Sequence, residues 1–250
     1  MERKQIEEAL RKIGFTHYSF DLAEKRIGDV VQQAIQDKLR SQGGRGKVKS
    51  PRKLQQRIKE QRPDLCELQA RSQYDFMVSG ISIITKYIDR ALTNNGGEEV
   101  SFIECGAGLG NLIGSLGILY KDNDIVFEGY DCNEKFLKYA MHKLSDADLE
   151  GKVILHKKSI KHIQFASAND KQYDIVACFG SLLFKNQKET KSILSMVAPD
   201  GRFILQLLGE GNTRVPVNKV ESCGFECIEY DSCYKKDAEA YEITAVFKRE

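Results

Sequence analysis

Phe102-Ile103-Glu104-Cys105-Gly106-Ala107-Gly108-Leu109-Gly110 decides how this chain is read. An apolar run ends in a carboxylate and turns through three glycines. Asn111-Leu112-Ile113-Gly114-Ser115-Leu116 then continues with a helix-like pattern. Glycines belong where backbone lies close against a ligand or takes positive φ. The helix that follows offers unpaired N–H groups at its first turn. The stretch therefore predicts strand, ligand-cradling turn and helix. Two details narrow the ligand. Asn111 holds the place of the last glycine in the dinucleotide pattern G-x-G-x-x-G. Glu104, two residues before Gly106, would repel a pyrophosphate and suit a cationic amine.

Working outward, Val126-Phe127-Glu128-Gly129-Tyr130-Asp131 reads as the next strand, ending in an acid 21 residues beyond Gly110. A carboxylate at that tip can accept both hydroxyls of a ribose. It can also cap a helix over Asn133–Leu144. Glu104 and the glycines upstream favour the ribose role. From Val100 onward, short apolar runs alternate with amphipathic stretches. Strands are predicted near 100–104, 125–130, 152–156, 173–178, 202–208, 225–230 and 241–248, and helices near 110–120, 133–144, 187–197 and 216–223. Such alternation implies an α/β fold with a mostly parallel sheet and helices on both faces. No helix pattern separates the last two strands, which should pair antiparallel.

Upstream, residues 1–97 read as helical. Ile6, Leu10 and Ile13 recur at helical spacing, as do Leu22, Ile27, Val30, Val31, Ile35 and Leu39. Ser41–Gly46 is a breaker, and Ser50-Pro51 looks like an N-cap with proline at the first helical position. One long helix is expected after Asp64, from Leu65 through Leu92, stopped by Asn94-Asn95-Gly96-Gly97. The predicted division is a helical cap or substrate-recognition region over 1–97 and a catalytic domain over 98–250.

The chain resembles the class I S-adenosylmethionine-dependent methyltransferases. Glu104–Gly110 looks like that family's first motif, and Tyr130–Ala140 like its acidic second-strand motif. Tyr173–Gly180 is similar to the fourth-strand motif, and Leu194–Leu205 to the turn into the fifth strand. Cys223-Gly224-Phe225-Glu226 resembles the turn into the sixth. The likeness covers roughly 100–248 and implies a seven-stranded Rossmann-like sheet with an antiparallel last strand. It also implies S-adenosyl-L-methionine as cofactor. Gly106, Ala107, Gly108 and Gly110 would line its methionine and ribose portions, and Glu104 would help hold the methionine part. Asp131 would take the ribose hydroxyls, with Cys132 beside the adenine. Ser159-Ile160 stands where the family commonly has an acid followed by a small or apolar residue near the adenine. Phe179 would face cofactor or substrate.

The acceptor has no comparable signature. No Asn/Asp-Pro-Pro-aromatic segment follows Val176, and no Pro-Cys pair of the kind that attacks cytosine is present. Cys178 reads as a buried structural cysteine. His17, His142, His156 and His162 are scattered and read as surface or packing residues, so no catalytic residue is named. Tyr74 and Phe76 read as core residues or as a cover over the cofactor. The net charge of +2 conceals an asymmetry: ten basic residues between Lys38 and Arg62 face only Glu60. That segment admits a nucleic acid or another phosphate-rich ligand, a lid, or a solvated loop. It holds no aromatic residue for stacking on bases.

A small-molecule acceptor is placed slightly ahead of RNA. The rivals are an rRNA or tRNA methyltransferase using the basic segment, a non-catalytic nucleic-acid or partner-binding module, and a nicotinamide-dependent dehydrogenase. Glu104 and Asn111 disfavour the dehydrogenase. The seven cysteines are odd in number and irregularly spaced. They read as reduced thiols of a cytoplasmic protein, and no metal is expected. No apolar run of about 18 residues predicts a membrane span, and no signal-peptide pattern opens the chain. Oligomeric state is left open.

Overall fold

The computed structural model describes residues 1–41, 51–94, 99–158, 171–179, 187–209, 214–235 and 240–250. The chain splits into two compact units, Met1–Gly14 with Phe76–Glu250, and Phe15–Asp75. The larger holds α1 (Arg3–Lys12), most of α5 (Tyr74–Asn94), and then β1 (Phe102–Cys105), α6 (Asn111–Leu119), β2 (Phe127–Asp131), α7 (Glu134–Asp146), β3 (Val153–Lys157), β4 (Tyr173–Phe179), α8 (Gln187–Leu194), β5 (Val197–Gly209), α9 (Arg214–Glu221), β6 (Phe225–Lys235) and β7 (Ala240–Arg249). The strands form one sheet in the order β3-β2-β1-β4-β5-β7-β6. β7 runs antiparallel to both of its neighbours, and the other pairings are parallel. Six strands therefore point the same way, and β1, β2, β4 and β5 end along one rim.

Alternation along the strands sorts side chains onto two faces. Ile103, Cys105, Val176, Cys178, Phe203 and Leu205 share one face, packed with Ile193 and Leu194 of α8 and Val217 and Val220 of α9. Register places Glu104, Gly129 and Ala177 on the other face, with α6 and α5 above it. α6 is apolar all round, as a helix enclosed on every side must be. Leu144, Ile13, Leu149 and Val153 press on its glycines, and α1 packs along it.

The smaller unit contains α2 (Phe20–Ser41), α3 (Pro51–Gln61) and α4 (Pro63–Ser72). Its core is small: Ile27, Leu65 and Leu68, with Tyr18, Val30, Val31 and Ile58 packed around them. Arg71 donates to the Thr16 carbonyl at 2.8 Å, and its guanidinium lies 5.5 Å from the Tyr18 ring centre.

Three expectations are corrected. The single helix expected after Asp64 is two, α4 and α5. Gln73 leaves the helical region at φ −105°, ψ 36°, and its N–H turns back to the Ala70 carbonyl. Leu65 and Leu68 serve the smaller unit's core while Phe76 onward serves the larger, and the break falls where that allegiance changes. The fifth strand begins at Val197, not near 202, because the stretch read as a turn lies at a register shift within the pairing with β4. Tyr173 pairs with Val197 and Ile175 with Arg202, leaving the intervening residues outside the ladder. The helix expected over 187–197 accordingly stops at Leu194.

Candidate functional site

The glycine turn is pinned to the tip of β2. Gly106, Gly108 and Gly110 take φ of 86°, 52° and 70°, where a side chain would be strained. Gly106 and Ala107 donate their N–H groups to the Tyr130 carbonyl at 2.8 and 2.9 Å, and Gly110 donates to the Ala107 carbonyl at 2.8 Å. Gly108 donates to Asp131 Oδ2 at 2.9 Å. The residues expected to surround a cofactor's methionine and ribose thus meet in one place.

Asp131 is half-buried, and its other oxygen, Oδ1, accepts the Asn133 N–H at 2.7 Å. The α7 cap is Asn133, whose Oδ1 accepts from Lys135 and Phe136, so helix capping does not occupy Asp131. A carboxylate offers about four lone-pair sites. Two backbone bonds leave capacity for hydroxyl donors. Cys132, next along, is exposed.

Glu104 is in a different environment. It is 3% exposed. Ile113 of α6 hydrogen-bonds to it through its backbone N–H, while Oε2 has no hydrogen-bond partner among the described residues. Burial, and then the charge of Asp131, push its pKa well above the ordinary carboxyl range. An orphaned buried acceptor costs about 1–3 kcal/mol and calls for an explanation. A ligand carrying N–H donors fits that requirement.

Phe179, at the tip of β4, stands one position past the Cys105–Cys178 pairing. Its ring packs 6.2 Å from that of Phe76. A Cβ added to Gly80 of α5 would fall 2.0 Å from the Phe179 ring and 1.9 Å from Gln206 Oε1. Gln206 Nε2 donates to the Phe76 carbonyl at 3.0 Å and to Glu242 Oε1 at 2.9 Å. Sequence reasoning missed Gln206. The available signal was one amide inside the apolar run Phe203–Leu208. Tyr74 stacks on Phe15 within the smaller unit.

Ser159, Ile160 and His162 lie outside the described residues. His156 Nε2 is 3.2 Å from Glu128 Oε2, whose carboxylate also takes the Tyr173 hydroxyl at 3.1 Å and the Lys171 ammonium. Cys178 is buried in register with Cys105. Among the described residues no three His, Cys, Asp or Glu side chains are placed to hold a metal ion, and no helix is long and apolar enough to cross a membrane. A cavity of about 380 Å³ lies where β6 begins and β7 ends, lined by residues including Lys191, Ser195, Cys223 and Arg249. It sits away from the glycine turn.

No protein-family model matches the chain, and no curated protein matches it. Solved structures do. The 4+2 cyclase SpnF gives a TM-score of 0.52 at 12% identity, over 61% of this chain and 76% of that one. An S-adenosylmethionine-dependent methyltransferase from Clostridium acetobutylicum ATCC 824 gives 0.48 at 14%, over 66% and 89%. One from Thiobacillus denitrificans, in complex with S-adenosyl-L-homocysteine, gives 0.45 at 10%, over 61% and 86%. At such identities fold alone transfers. The chain shares a Rossmann-like α/β fold with the SpnF cyclase, with its seven strands in the order given above.

Proposed function

We infer that this protein is an S-adenosylmethionine-dependent methyltransferase. The observation that carries the reading is the buried, unpartnered Glu104 oxygen beside a glycine turn pinned to Asp131. S-adenosylmethionine, when bound, supplies a methyl group already activated by its sulfonium charge. The chain's own residues then have little covalent chemistry to perform. Glu104 receives the amino group, Asp131 accepts the ribose hydroxyls, and the glycines let backbone approach closely. Their task is alignment and exclusion of water. Cys132, and Ser159-Ile160 after β3, are assigned to the adenine side, and Phe179 to the edge facing cofactor or substrate. Seven unbridged cysteines accord with a reducing cytoplasm.

A small molecule is the first acceptor. RNA is the second reading, supported by the exposed Lys38 and Arg40 at the end of α2 and Lys53 and Arg57 on α3. If that reading holds, changing both α3 residues to glutamate lowers the slope of log affinity against log salt for RNA.

Calorimetric titration with S-adenosylmethionine and with NADH separates the two cofactor classes. Only the former should bind. Asp131→Ala should weaken it by about 1.5–3 kcal/mol for each charge-assisted hydrogen bond lost. Unchanged affinity in that variant would remove Asp131 from the site, and tight NADH binding would overturn the reading as a whole.

A further inference from the structure

The two carboxylates at the glycine turn are close enough to influence each other, yet they are not equivalent. Asp131 is half-exposed and accepts two backbone N–H bonds. Glu104 is enclosed, accepts the Ile113 N–H, and leaves Oε2 without a partner. Among the described residues its surroundings supply no cation. Its register neighbours Gly129 and Ala177 carry no ionisable group, and α6 has none along its length. The adjoining Cys105 thiol is itself driven toward its neutral form by burial, then by Cys178 and Glu104. Asp131 is therefore the one charged side chain acting on Glu104 among the described residues, and its sign is unfavourable. Burial, with the neighbouring acid second, disfavours the charged form of Glu104. Enclosed and without a cation among the described residues, Glu104 keeps a proton.

We propose that Glu104 gives up this proton when the site takes up a nucleoside bearing a cationic amino group, so that binding is coupled one-for-one to proton release and selects ligands that carry the ammonium. The step balances simply. The Glu104 O–H bond breaks, its electron pair stays on the carboxylate, and the proton leaves to solvent. The new carboxylate faces the ligand's ammonium. If the ammonium surrenders a proton instead, the count released is the same. The unpartnered oxygen gains its donor, and the field of Asp131 is offset by the incoming positive charge. A ligand without the amine offers Glu104 nothing for which to ionise.

This inference rests on the cofactor reading above, and the experiment separates the two. The full chain is titrated calorimetrically with S-adenosylhomocysteine, which has the amine but no transferable methyl group. Phosphate and Tris buffers are compared at pH 6, because their ionisation enthalpies differ. About one proton should be released per ligand bound. Affinity should rise about tenfold per pH unit below the Glu104 transition, until the ligand's own amine begins to titrate near about 8. Glu104→Gln should abolish the release and flatten that rise. 5′-Methylthioadenosine, which lacks the amine, should bind wild type and variant alike with no proton exchanged, which also shows that the variant is folded. Wild-type binding without proton release overturns the proposal and leaves the cofactor reading standing. So does release by the glutamine variant equal to that of wild type. Failure of the wild type to bind either S-adenosylmethionine or S-adenosylhomocysteine overturns both.

Discussion

The rim of the sheet has two halves built on opposite principles. Over β1 and β2 the chain keeps polar capacity in reserve: Asp131 has lone pairs to spare, and Glu104 Oε2 has no partner. Over β4 and β5 the space is filled. Phe179 and Gln206 press on Gly80, and Gln206 fixes the carbonyl of Phe76. A core maximises packing and satisfies its polar groups, whereas a binding site leaves something incomplete for the ligand to finish. The first half keeps the charge-bearing acceptors, and the second is packed tightly, though Gln206 Oε1 also lacks a partner among the described residues.

The largest expected effect tests the packed half. Phe179→Ala should cost about 3–5 kcal/mol of stability, the usual range for deleting a buried aromatic ring. Thermal unfolding measures it. A loss below about 1 kcal/mol would mean that Phe179 borders open space and belongs with the site.

Gly80→Ala should act next most strongly. Alanine gains about 1 kcal/mol of helix propensity over glycine. Overpacking against Gln206 and Phe179 costs about 1–3 kcal/mol, and the second term should win. Combining it with Phe179→Leu should recover part of the loss, because a smaller side chain makes room. Denaturant titration of the two single variants and the double gives the coupling, and strict additivity would show that the contact is not shared.

Much of this was legible in advance, and the failures have physical causes. Glu104 and the glycines are contiguous in sequence, and Asp131 ends the very next strand, so local pattern finds them all at strand ends. The Gln206 clamp joins β5 to α5 across 130 positions, and no local period encodes such a contact. The break at Gln73 contains neither glycine nor proline. It arises because neighbouring residues serve different cores. The start of β5 was hidden by Pro199-Asp200-Gly201, which reads as a turn and falls at a register shift within the β4–β5 pairing.

In the open half the expected effect is smaller and opposite in sign. Glu104→Gln should stabilise the ligand-free protein at neutral pH by on the order of 1 kcal/mol, by removing a buried group that resists ionisation. The folded state raises the Glu104 pKa. Between the unfolded carboxyl value, about 4.3, and the folded one, the native state holds a proton that the unfolded state has lost. Wild-type stability should fall as pH rises through that window. The glutamine variant should lack the fall. Parallel melting curves from pH 4.5 to 7.5 provide the measurement, and identical slopes would show that Glu104 ionises freely in the fold.

The smallest effect concerns the other anchor of α5. Lys86 donates to both Glu229 oxygens at 2.9 and 2.7 Å, and the Tyr87 hydroxyl donates to Oε2 at 2.8 Å. Lys86, then Tyr87, hold the Glu229 carboxyl below its usual range against the opposing effect of burial. The ion pair is more than a third exposed on both sides, so water and salt screen it, and about 0.2–1 kcal/mol is the scale to expect. A depressed carboxylate contributes stability above its unfolded value and loses that contribution as pH falls through the folded one. Lys86→Met keeps the apolar stem and removes the charge. It should lower the melting temperature slightly at pH 6 and have almost no effect at pH 3. An equal loss at both pH values would mean that Lys86 holds α5 by packing alone, leaving the Tyr87 hydroxyl on Glu229 and the buried Gln206 as polar ties of this helix to the sheet.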